Sequence, residues 1–333
     1  MSIDISAKTI KPIRQTYDNV ARRIGENKPA SRYQEATFDV QATTNFHFRP
    51  TWASEYELYD TRRTKIVMQD WYAFKDPRQY YYGTYTMARA KQQDSMEKNF
   101  EFVEKRQLLS MVNEDIQSKV KQYFVPLRHL EWGANMNNCF VTDFGYGTAV
   151  TQITMFNAMD RLGIAQYITR VGLLLTENEP AILDEAKMAW LENQEWQPLR
   201  HVVEDSFVIE DWFETLLVQN VLIDSFIYPL FYEHWMNEVS RDGGSALVML
   251  TEFMSDWYAE TLRWTDAILK TAATESDENA ALLGEWSNKW LDRVSEAVVP
   301  IATSLLGDAA GNDTVENAKQ AILQRLSRAG VSA

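Results

Sequence analysis

Helix breakers are scarce in this chain: its 333 residues contain nine prolines and thirteen glycines, and four of the prolines fall before residue 94. Long helices follow from that, since proline and glycine are the residues that end them. The pattern is clearest after the turn Arg241-Asp242-Gly243-Gly244. There Leu247, Leu250, Met254, Trp257, Trp264 and Ile268 recur at spacings of three and four, with Thr261 in the remaining slot.

The same reading extends along residues 94–333. Asp94 and Glu97 resemble a capping-box start for a helix carrying Met96, Phe100, Val112, Ile116, Val120 and Phe124 up to Pro126. Pro126 suits the first turn of a second helix through Leu127, Leu130 and Ala134 to beyond Cys139. Gly145 and Gly147 mark a join, and further helices are predicted at about 148–175, from Asn178 and Pro180 to near Asn193, and from about Phe207 to Asn237. Two more, at about 280–306 and 313–329, finish an all-α bundle.

Residues 1–93 differ. Pro12, Pro29, Pro50 and Pro77 interrupt them, and rings crowd the run Trp71-Tyr72-Ala73-Phe74-Lys75-Asp76-Pro77-Arg78-Gln79-Tyr80-Tyr81-Tyr82-Gly83-Thr84-Tyr85. Disordered segments are poor in aromatics, so this arm must bury its rings against its own body or another subunit. The division is thus 1–93 as an aromatic-rich N-terminal arm and 94–333 as the helical domain. Trp71, Phe74, Tyr80, Tyr81, Tyr82 and Tyr85 are the candidate interface residues.

Charge excludes some functions. The net charge is −14, split between an arm with 15 Lys+Arg against 10 Asp+Glu and a body with 18 against 37. So acidic a body repels phosphates, which argues against nucleic acid. The apolar region Leu216 to Tyr232 is interrupted by Gln219, Asn220, Asp224 and Pro229, so no membrane span is expected. Met1-Ser2-Ile3-Asp4-Ile5 opens without a signal-like apolar stretch, and the one cysteine, Cys139, allows no internal disulfide. A cytoplasmic protein is expected, with Cys139 as a buried thiol.

A helical bundle with Glu101 and Glu131 thirty residues apart and Glu252 further on invites a test for a carboxylate-bridged metal site. Such a site needs Glu-x-x-His on two helices, because residues i and i+3 share a face. Four histidines occur, and the residues three before His47, His129, His201 and His234 are Thr44, Pro126, Pro198 and Phe231. Glu131 is followed at that spacing by Ala134 and Glu252 by Ser255, and neither can replace an imidazole. As ordinary carboxylates these glutamates belong on helix surfaces; if buried, they require Arg or Lys partners. No phosphate loop, nucleophile elbow or Cys-x-x-Cys is present, and the histidines read as packing residues.

Lys75-Asp76-Pro77-Arg78-Gln79-Tyr80-Tyr81-Tyr82-Gly83-Thr84-Tyr85, Glu131-Trp132-Gly133-Ala134-Asn135 and the helix order around them resemble the hydroxylase β subunit of bacterial multicomponent monooxygenases, nearest the phenol hydroxylase branch. The resemblance covers essentially the whole chain. It implies a ferritin-like, ribonucleotide-reductase-like fold in which the di-iron ligands are lost, with Glu101, Glu131, Ala134, Glu252 and Ser255 at degenerate ligand positions. It further implies no catalytic, cofactor-binding or metal-binding residue in this chain. The di-iron centre is then expected in a partner α subunit. The implied assembly is α2β2γ2, with β chains near the central dimer interface and a regulatory protein and an NAD(P)H-dependent reductase acting on it. The expected role is a structural subunit of an aromatic-ring hydroxylase. A generic helical scaffold and a divergent metal oxidase are the competing readings.

Overall fold

A computed structural model describes residues 16–26, 28–41 and 49–331; His47 and the first part of the arm lie outside them. No strand occurs among the described residues. The arm contributes α1 (Asp18–Ile24) and α2 (Arg32–Thr37). The body comprises α3 (Tyr82–Lys105), α4 (Glu114–Lys119), α5 (Leu127–Phe144), α6 (Thr148–Leu175), α7 (Ala181–Glu192) and α8 (Gln197–Ser206). It continues through α9 (Trp212–Arg241), α10 (Ser245–Glu275), α11 (Asp277–Leu306) and α12 (Asp308–Ala329).

Most differences from the sequence reading lie at helix starts. Helix α3 begins at Tyr82, twelve residues before Asp94, because the Tyr81 backbone N–H is answered by the Thr84 side chain. The arm therefore hands over to the body inside the tyrosine run, and residue 93 is mid-helix. The helix expected to reach Pro126 stops at Lys105, where Gln107 takes a left-handed φ of 52°. The one expected from Phe207 starts at Trp212 instead, since Asp211 accepts from the Phe213 and Glu214 backbone N–H groups.

Helix α9 is long and apolar enough to cross a membrane, yet 94% of its apolar window is buried by its neighbours. It is the central rod of the core. Two π-helical stretches, Leu217–Ile223 and Pro229–Trp235, interrupt its α-geometry. Proline at 229 cannot donate a backbone hydrogen bond, which favours the second widening.

The described part of the arm wraps this chain's own body. Trp71 packs its ring 5.2 Å from Trp212 and 6.3 Å from Tyr146. Tyr85 stacks on Phe156 at 4.2 Å. Where the backbone is irregular, body side chains satisfy it: Val67 exchanges two hydrogen bonds with Asn279, and the Lys65 N–H donates to Asp211. Trp71, Phe74 and Tyr85 are thus core residues of this chain, which corrects their place among the interface candidates. Tyr80 and Tyr81 are half-buried, while Tyr82 is 72% exposed and remains free for a partner.

Candidate functional site

Four long helices, α5, α6, α9 and α10, enclose the most polar part of the core. Helix α6 carries Arg161, fully buried in a run otherwise filled by apolar and amide side chains. Burying a guanidinium is costly unless its charge and its five N–H donors all find partners. Here they do. Nε donates to Asn157 Oδ1 at 3.2 Å, and Nη1 donates to Glu131 Oε2 and Tyr228 Oη, each at 3.1 Å. Nη2 donates to Asp224 and, at 3.5 Å, to Asn220 Oδ1.

The carboxylates are equally well provided. Tyr228 donates its hydroxyl to Glu131 Oε1 at 2.8 Å, and Gln219 Nε2 donates to Asp224 Oδ1 at 3.0 Å. Asn138 and Asn220 exchange reciprocal amide bonds at 3.1 Å, and Asn157 joins them through Asn220 Oδ1 at 3.0 Å. Asn220 sits in the first π stretch, with Asp224 following it. From α10, Trp257 lays its ring 4.6 Å from the Arg161 guanidinium and donates Nε1–H to Asp160 Oδ2. Asp160 also receives Arg89 and Tyr85, so α3 is tied to the outer side of this cluster.

Burial pushes the Glu131 and Asp224 carboxyls above their ordinary range, with Arg161 pulling the other way, and it pushes the Tyr228 phenol well up. With two carboxyls around one guanidinium, one of them is held chiefly by hydrogen bonds. We expect Glu131→Gln to cost about 1–3 kcal/mol, since the amide oxygen can still accept from Arg161 but the amide N–H, facing Tyr228, leaves the buried phenol O–H without its acceptor. Urea unfolding of the variant would measure this.

Of the candidate ligand positions named from the sequence, only Glu131 brings its side chain to this centre. Glu101 and Glu252 are exposed, so the grouping of Glu101, Glu131 and Glu252 is corrected to Glu131, Arg161 and Asp224. Ala134 is buried and offers its carbonyl to Asn138, and Ser255 is half-buried and donates to the Tyr232 carbonyl. The requirement for a basic partner to a buried glutamate is met by Arg161. His129 is half-buried against Trp190, with its pKa brought down to about 4 by burial and by the charges of Arg128 and Lys187. His201 and His234 are exposed, and so is Cys139, which points outward from α5.

A di-iron centre needs several carboxylates and two imidazoles facing one another. The donors at this bundle centre do not fit it, because a fixed guanidinium stands between the carboxylates. Among the described residues, no group of three His, Cys, Asp or Glu side chains could hold a metal ion.

Residues 52–276 match the methane/phenol/alkene hydroxylase family. The chain belongs to this family. Within it, the phenol 2-monooxygenase oxygenase component DmpL of Pseudomonas sp. (strain CF600) is 46% identical over 331 residues, spanning 99% of this chain and 98% of its own. The hydroxylase component subunit beta of the toluene-4-monooxygenase system of Ectopseudomonas mendocina is 23% identical over 303 residues, or 86% of each chain. Among solved structures, phenol hydroxylase from Pseudomonas sp. OX1 superposes with a TM-score of 0.94 at 45% identity and 99% coverage of both chains. Toluene 4-monooxygenase superposes at 0.78 with 20% identity over 90% of this chain and 99% of its own, a likeness of fold. The family's ferritin-like long-helix bundle is the fold of this chain, and the resemblance to hydroxylase components of multicomponent monooxygenases holds.

Proposed function

We propose that this chain is the non-catalytic, structural β-type subunit of an oligomeric di-iron aromatic monooxygenase of the phenol or toluene hydroxylase type. It holds catalytic α subunits, with γ, in an α2β2γ2 assembly in the cytoplasm, served by a regulatory protein and an NAD(P)H-dependent reductase. O2 activation and ring hydroxylation then take place in α.

The observation that carries this reading is Arg161. Metal-binding bundles take single carboxylates from two helices and an acid-x-x-His pair from each of the other two. Glu131 and Asp224 stand where single carboxylates from α5 and α9 would. With those as the single carboxylates, the pair positions fall on α6 and α10, at Arg161 with Ile164 and Tyr258 with Thr261, instead of at Glu131 with Ala134 and Glu252 with Ser255. The first supplies a permanent cation where the metals' positive charge would lie, and no imidazole is present at either. The bundle keeps its electrostatic balance as a protein structure, without a metal. The family relationship counts against an unrelated helical scaffold.

The test removes the charge from the bundle centre at nearly constant volume, by the triple variant Glu131→Gln/Arg161→Met/Asp224→Asn in the complete hydroxylase. We expect iron content and phenol turnover per assembled hydroxylase to stay within about twofold of wild type, because full removal of a buried ion cluster can be neutral for folding. Loss of iron or turnover in fully assembled material would overturn the reading.

A further inference from the structure

The outward face of the α5–α6 hairpin is not built like a solvated surface. The helices run antiparallel, with Asn135 Nδ2 donating to the Ala158 carbonyl at 2.8 Å and Thr142 Oγ1 lying 2.9 Å from Thr154 Oγ1. This register sets Trp132 abreast of Leu162 and Met136 abreast of Met159, with Met155 one turn further along. Trp132 is 54% exposed, and the other four are exposed by 40–44%. In a chain where 24% of residues are charged, this outward plate carries no charge. Contiguous apolar surface of this kind marks an interaction site.

One end of the plate opens into a groove of about 770 Å³ lined by Arg128, His129, Trp132, Leu162, Thr169 and Arg170 among others. Arg170 is already engaged by Glu97. Arg128 has no ion pair among the described residues, and its Nη1 is shielded from solvent without a hydrogen-bond partner, as is His129 Nε2. Shielded polar atoms without partners are rare in finished structures, and a carboxylate entering the groove would pair with the half-buried Arg128 guanidinium beside them.

We propose that this plate and groove dock the metal-bearing hydroxylase subunit. One of its helices covers Trp132, Met136, Met159 and Leu162, and one of its carboxylates pairs with Arg128. The inference rests on the proposed function for the existence of that subunit and adds the face it uses. Long-range charge weighs against a second copy as the occupant: it would bring two chains of net charge −14 face to face, whereas Arg128 asks only for one local carboxylate from a partner. Size fixes the plate's share. The 18 residues of α5 span about 27 Å, so two helices offer on the order of 500 Å². A stable interface takes about 800 Å² from each partner, so the plate is its centre and the contact extends beyond it. Tyr82 supplies an adjoining flank, because α3 seats against α6 through the Tyr85–Phe156 stack, beside Met155.

The test co-produces the full chain with its metal-bearing and γ subunits and compares wild type with Met159→Lys/Leu162→Lys and with Arg128→Glu. Assembly is read by size-exclusion chromatography with light scattering, and thermal unfolding of each isolated chain serves as the folding control. Arg128→Gln, which leaves the plate intact, is a second, milder probe of the groove. We expect both charge variants to keep the wild-type melting temperature and to weaken assembly by roughly tenfold or more, as central interface residues do. Wild-type assembly by both would overturn the docking face while leaving the proposed function standing. Failure of the wild-type chain to assemble would overturn the function and the inference with it. A self-dimer of the isolated chain that the lysine variant breaks, with hetero-assembly unchanged, would assign the plate to a second copy and overturn the stated occupant.

Discussion

Replacing Arg161 by methionine should destabilise the chain by about 3–5 kcal/mol at neutral pH, the usual cost of removing one partner from a buried charge cluster. Methionine fits the volume, so the loss comes from two carboxyls deprived of their common cation and from the Tyr228, Asn157 and Asn220 contacts of the guanidinium. The pH dependence has a definite sign. Glu131 and Asp224 already lie above their ordinary values through burial, and removing Arg161 takes away the main influence holding them down. A carboxyl raised in the folded state contributes its stability below its unfolded pKa and loses it as pH rises through the folded value. The gap between wild type and Arg161→Met should therefore narrow as pH falls from neutral toward the ordinary carboxyl range. Urea unfolding at three pH values would show it. A gap that stays constant would mean that the cost is packing rather than charge. Adding Glu131→Gln and Asp224→Asn should restore much of the loss at neutral pH, because no buried charge then remains.

This centre was only partly legible in the sequence. Spacing located the helices well, since the hydrophobic period is local: α6 and α7 came within a residue or two of their observed ends. The missing Glu-x-x-His was equally local and pointed to a bundle without imidazole ligands. Which carboxylates meet is not local. Spacing along the chain groups Glu101 and Glu252 with Glu131, yet both are exposed. The informative signal was a charge inside an apolar helix. Asp224 interrupts the most apolar stretch of the chain and Arg161 sits between buried faces of α6, but only the fold shows that they answer each other. In the sequence, Asp224 argues only against a membrane span. Cys139 is expected to be buried and lies exposed on the stripe shared with Trp132 and Met136, because that outward face has the apolar composition of a core.

The arm gives the second large effect. Trp71→Ala should weaken its attachment to the body by about 3–5 kcal/mol, typical of emptying a buried tryptophan site. Trp71 sits between the Trp212 and Tyr146 rings and under Gly147, where a φ of 90° strains any side chain and an added Cβ would come within a tight 3.3 Å of Trp71 Cβ. The lost contacts are those between arm and body, so the effect need not spread through the helices. The segment 61–76 should open on its own while α9 to α12 stay folded. Cleavage of an open segment tracks its population, and each 1.4 kcal/mol is a factor of ten. A loss of about 3 kcal/mol should therefore speed proteolysis within that segment roughly a hundredfold, while urea unfolding followed by helical signal shifts much less. Mass spectrometry of the first cleavage products distinguishes the cases. Cuts between residues 61 and 76 support a separable arm, whereas unchanged cleavage would mean that the Asn279 and Asp211 clamps on the Val67 and Lys65 backbone hold it without the tryptophan. Because Trp212 also begins the helix that carries Asp224, a fall in global stability as large as the local one would show that arm and bundle centre unfold as one unit.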